Sequence, residues 1–122
     1  MIKKLLIIRK SKIQTDTIKE AGLESFVVGT PLSVSPAKWP EEAGESHFGY
    51  VLEMKLKEYE LLTKWVKKGS DEANASTVLD IPDEKKDKEF KKWLERQTVT
   101  HAEPTLAFAL YKVGLRVHPS AE

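Results

Sequence analysis

Cysteine is absent from the 122 residues. Disulfide frameworks, zinc ribbons, iron–sulfur ligation, thiol catalysis and thioether attachment of haem are therefore excluded. Long apolar runs are lacking as well. After Lys3 and Lys4 the uninterrupted apolar stretch is only Leu5 to Ile8, closed by Arg9. That is shorter than the roughly 7–15 residues of a signal-peptide core and far short of a membrane span. A soluble protein is expected, cytoplasmic and with no membrane association. Neither G-x-G-x-x-G nor G-x-x-x-x-G-K-[ST] occurs, and the nucleophile elbow G-x-S-x-G and the kinase signature set are missing, so nothing cradles a phosphate or raises a serine for attack. No cofactor is expected. An excess of one charge is lacking too: 20 basic residues stand against 19 acidic ones, for a net charge of +1. A nucleic-acid binder or polyanion-seeking surface normally carries a strong positive field, and this chain has none overall.

What is present is enough for one globular core. Apolar residues make up 40% of the chain and charged residues 32%, which suits a single domain over residues 1–122 and argues against disorder. Charge falls in blocks: residues 1–12 hold five cations and no acid, and residues 13–50 carry six acids against two lysines. Leu5 to Ile8 is rich in β-branched residues and uninterrupted, the pattern of a strand covered on both faces and central in its sheet. Thr15 or Thr17 is placed to cap a short helix through Ile18 and Ala21 that stops at Gly22, and Leu23 to Val28 reads as a second strand.

Residues 48–68 admit two readings. Phe48, Tyr50, Leu52, Met54 and Leu56 alternate with Glu53, Lys55 and Lys57, as in a half-buried strand; from Leu56 onward Tyr59, Leu62 and Val66 fall at helical spacing up to Gly69. One long helix is the competitor, supported by the lack of a capping residue between Lys55 and Tyr59. Strand followed by helix is preferred. Thr77 to Ile81 suits a short strand, and Asp80 or Asp83 is placed to start a helix reaching about Gln97, with Phe90, Trp93 and Leu94 as its apolar face. Thr100 to Val113 has capping-box spacing in Thr100 and Glu103 and is apolar nearly all round, so it should be buried. Leu115 to Val117 is a candidate closing strand. The order predicts an α+β domain, helices on one face of a mostly antiparallel sheet, with a possible ferredoxin-like β-α-β-β-α-β order and two additional C-terminal helices.

Chemistry-bearing motifs are few. His101-Ala102-Glu103-Pro104 has the His-x-Glu of zinc deaminases by letter, but lacks the Pro-Cys-x-x-Cys half that completes the metal site. The three histidines, His47, His101 and His118, match no local ligand spacing, and no metal site is expected. Lys85, Lys86, Lys88, Lys91, Lys92 and Arg96 interleave with Phe90 and Trp93, yet five acids share the same helix, which reads as a solvated face; a nucleic-acid partner is not expected.

The remaining feature is the Pro-rich loop at residues 30–47, which holds Pro31, Pro36 and Pro40 around Trp39 and shows no sustained periodicity. Structureless connections of that length are usually functional or disordered. A tryptophan on a proline-stiffened segment is the kind of side chain that anchors binding interfaces. The leading expectation is a small interaction or regulatory protein that binds a protein partner through Trp39, with Glu41, Glu42, Glu45 and His47 around it. The alternative is a small enzyme or metabolite-binding domain with its pocket between this loop and the sheet.

Overall fold

The computed structural model describes residues 1–9, 17–20, 22–67, 76–98 and 103–118. Five strands form one sheet in the order β4-β1-β3-β2-β5. They are β1 (Ile2–Arg9), β2 (Val27–Pro36), β3 (His47–Met54), β4 (Ser76–Asp80) and β5 (Leu115–Val117), and every pairing among them is antiparallel. The helices are α1 (Thr17–Glu20), α2 (Leu56–Lys67), α3 (Lys88–Glu95) and α4 (Pro104–Tyr111). The chain is thus a single small α+β domain.

Strand β1 is central, paired on one side with β3 and on the other with β4. Its alternation sends Leu5 and Ile7 into a cluster with Val34, Leu79, Leu106, Ala109 and Leu110, and Leu6 and Ile8 into another with Leu23, Leu52, Met54 and Leu62. The expectation of helices on one face is therefore corrected. α1, through Ile18, and α2, through Tyr59, Leu62 and Val66, cover one face. α4 covers the other, and α3 lies outside α4, burying Phe90 and Trp93 against Ala107 and Phe108. Six consecutive residues of α4, Thr105 to Leu110, are buried because the helix has packed neighbours on two sides.

The break at residue 55 settles the two readings of residues 48–68 in favour of strand then helix. With no Ser, Thr, Asp or Asn between Lys55 and Tyr59, the cap comes from within the helix: the Glu58 carboxylate accepts from the Lys55 backbone N–H at 2.7 Å, the N3-to-N-cap half of a capping box. Leu56, expected on the apolar stripe, is 66% exposed.

Two helix starts are corrected. Asp83 closes a turn, accepting from Lys85 N at 2.9 Å, and the cap of α3 is Asp87, whose side chain accepts from Phe90 N at 2.9 Å. Helix α4 begins at Pro104, and Glu103 is its N-cap residue, with no side-chain cap bond, rather than the third residue of a capping box. Thr100, like Thr15 and Ala21, lies outside the described residues.

The loop at residues 30–47 is also corrected. β2 runs on to Pro36, and the irregular segment shrinks to residues 37–46. The pairing of β2 with β3 skips between Val28 and Leu32, with Gly29 at φ 73°. Pro31 falls in the skipped stretch, where the ladder with β3 asks for no donor. Beyond it Val34 is wholly buried and Ser33 to Pro36 pair with β3 or β5.

Candidate functional site

The 37–46 segment is tied down along its length. Ala37 N donates to Gly114 O at 2.9 Å, Trp39 N to Pro36 O at 3.1 Å, Ala43 N to Pro40 O at 3.1 Å and Ser46 N to Val34 O at 2.8 Å. From β5, Arg116 donates through Nη2 to Trp39 O at 2.7 Å and through Nε to Ser35 Oγ at 3.5 Å. The backbone at Trp39 is held on both sides while the residue stays 42% exposed. Glu42 is exposed in the short 3-10 turn Glu41–Ala43, and Glu45 is half-buried.

His47 is the first residue of β3 rather than part of the loop. It lies opposite Arg9 on one side and Val34 on the other, with Nδ1 2.6 Å from Ser46 Oγ. Burial, and after it the positive charge of Arg9, hold its pKa below the ordinary 6.5, because both disfavour the imidazolium.

Beneath the loop Ser35 and His118 form a buried pair, 0% and 2% exposed, with His118 Nδ1 3.3 Å from Ser35 Oγ. A serine beside an imidazole is the first half of a nucleophile–base arrangement. Here the hydroxyl faces no solvent, and Arg116 Nε also lies within hydrogen-bond reach of it. The backbone N–H of His118 donates to Ser33 O at 2.8 Å. The group pins β5 to β2. Among the described residues no three His, Asp or Glu side chains gather as a metal would need, and no helix is long and apolar enough to cross a membrane. His101 lies outside the described residues.

A second feature was not legible in the sequence. Between α3 and α4 a cavity of about 220 Å³ is floored by Trp93, Phe108 and Tyr111 and walled by Lys92, Arg96, Lys112 and Glu89. The rings pack at 5.4 Å for Trp93–Phe108 and 5.8 Å for Trp93–Tyr111, and Lys112 Nζ stands 5.4 Å over the Phe108 ring. Tyr111 is 55% exposed. Along the chain the cations of α3 alternate with acids and look neutralised. In space Lys92 and Arg96 turn to the groove together, with Glu89 alone among the acids of that helix, and α4 adds Lys112.

No protein-family model matches the chain, and neither a curated protein nor a solved structure matches it.

Proposed function

We propose that this chain is a small protein-binding module that engages its partner through the 37–46 loop, with Trp39 as the anchor and the acids at Glu41, Glu42 and Glu45 as a polar rim. The observation that carries this reading is a half-exposed indole on a backbone held by Pro36 and Arg116. Such a side chain loses little conformational freedom on binding and offers a large apolar area. In scaffold terms the first six elements form a ferredoxin-like unit to which β5 and the α3–α4 pair are added, a reading supported by the strand order β4-β1-β3-β2. That scaffold hosts many activities and selects none. The function therefore rests on the loop.

The test pairs affinity capture with a melt, using wild type and Trp39→Ala. Truncation should weaken capture by about 2 kcal/mol or more while costing about 1 kcal/mol or less in stability. A strongly lowered melting point with an unchanged set of captured proteins would assign the indole to packing and end the binding role.

A further inference from the structure

The groove between α3 and α4 gathers cations that its acids do not balance. Lys92, Arg96 and Lys112 stand in its wall against Glu89 alone, which leaves the lining a net charge of +2. None of the three is ion-paired with a described residue, whereas on β1 Lys3 pairs with Glu53 and Lys4 with Asp80. Arg96 and Lys112 are the C-cap residues of α3 and α4, where the helix macrodipole favours a cation. That preference accounts for neither Lys92 nor the convergence of all three on one hollow, where like charges repel unless an anion stands between them.

The hollow has the size of one substituted ring. A cavity of about 150 Å³ lined by apolar side chains takes up benzene, so about 220 Å³ holds such a ring with one anionic group. It falls short of the roughly 300–1,000 Å³ of sites for larger ligands. Tyr111, 55% exposed, offers the stacking surface, with Trp93 and Phe108 buried behind it.

We propose that the α3–α4 groove binds an aryl phosphate, a single aromatic ring bearing one phosphate monoester, with the ring against Tyr111 and the phosphate among Lys92, Arg96 and Lys112. A phosphate monoester carries close to two negative charges at neutral pH, which matches the charge of the lining; a carboxylate carries one. The planar fork of Arg96 suits two phosphate oxygens, and the two ammonium groups add point charges. Stacking supplies the apolar part of the attraction. The site is separate from the loop, since Trp39 does not line it.

A heteronuclear NMR titration of the whole chain reads the site directly. Phenyl phosphate should shift the signals of Trp93, Arg96, Tyr111 and Lys112 and saturate in the sub-millimolar to millimolar range that suits so small a ligand. Inorganic phosphate and phenol should each bind about tenfold more weakly or worse, because each keeps only half of the recognition. Arg96→Gln should weaken phenyl phosphate about tenfold. Glu89→Gln should tighten it about threefold by removing the one opposing charge, a gain that a folding defect would not produce. Lys91→Gln, on the same helix but outside the lining, should change nothing. A phosphotyrosine tripeptide separates the two sources of this chemistry: tighter binding than phenyl phosphate assigns the group to a protein side chain, and equal or weaker binding assigns it to a free molecule. No saturation by about 10 mM phenyl phosphate, inorganic phosphate bound as tightly, or a response unchanged in Arg96→Gln or Glu89→Gln would overturn the proposal. So would binding of single-stranded oligo(dT) without binding of phenyl phosphate, which would make the groove a nucleic-acid surface.

Discussion

At the scale of single residues, Gly49 is the described glycine at which a side chain would meet packed neighbours. A Cβ built there would stand 3.2 Å from Ile7 Cδ1, 3.4 Å from Leu5 Cδ1 and 3.6 Å from Val34 Cγ2. Replacing glycine in a strand ordinarily stabilises it, by removing backbone entropy and adding β propensity. Here the three neighbours belong to the core between the sheet and α4 and have no solvent to move into. Gly49→Ala should therefore destabilise by about 1–3 kcal/mol, read as a lowered urea midpoint. His47 gives the second residue-scale prediction. Its folded pKa lies below 6.5, through burial first and Arg9 second, so the folded chain binds fewer protons there than the unfolded chain does. Its stabilising contribution is complete above pH 6.5 and is lost as pH falls through 6.5 toward the lowered folded value. Urea titrations between about pH 8 and pH 5 should show that decline in wild type and a flatter profile in His47→Gln.

At the scale of elements, the sequence speaks clearly where one face or one run is buried and poorly where capping or bulging decides. Leu5 to Ile8 and the alternation from Phe48 to Met54 are legible because burial imposes a period on residue type. The continuation of β2 through Pro36 is hidden, since Pro31 and Gly29 signal a turn in one dimension and a bulge in three. The start of α3 is hidden for a similar reason. Asp83 and Asp87 are equally good caps by letter, and only the turn that Lys85, Lys86 and Asp87 close onto Asp83 displaces the helix to Lys88. The two aspartates should consequently differ in cost. Asp87→Ala removes an acceptor from the first turn of a helix that buries Phe90 and Trp93, and should lower stability by about 0.5–2 kcal/mol. Asp83→Ala, which removes only an exposed bond in a turn, should cost less. Thermal melts of the two variants side by side make the comparison. Of the candidate binding surface, Trp39 was legible from its prolines, whereas Arg116 and the groove were not: Arg116 is 77 residues from Trp39, and which cations of α3 face Lys112 depends on how α3 lies across α4.

At the scale of the whole molecule, the sheet divides the core into two clusters, and β1, β2, β3 and β4 each send residues into both. Leu5 and Ile7 serve the α4 side and Leu6 and Ile8 the α2 side, so neither layer can leave without exposing half of β1. The α3–α4 aromatic cluster is one step further out, yet α4 is common to it and to the sheet: Leu106, Ala109 and Leu110 face inward while Ala107 and Phe108 face α3. Because a single helix carries both contacts, loss of the outer cluster should weaken the inner one, and the domain should unfold as one unit. Phe108→Ala tests this coupling. The ring is 3% exposed and lies 5.5 Å from Phe90 and 5.4 Å from Trp93, so its truncation should cost about 3–5 kcal/mol. Near-ultraviolet circular dichroism follows the aromatic packing and far-ultraviolet the backbone. In wild type and Phe108→Ala alike the two transitions should coincide, both moving to lower temperature in the variant. An aromatic signal lost well before the backbone signal would make α3 and its cluster a separately melting layer, and the groove between α3 and α4 would then be an element that opens without unfolding the sheet beneath it.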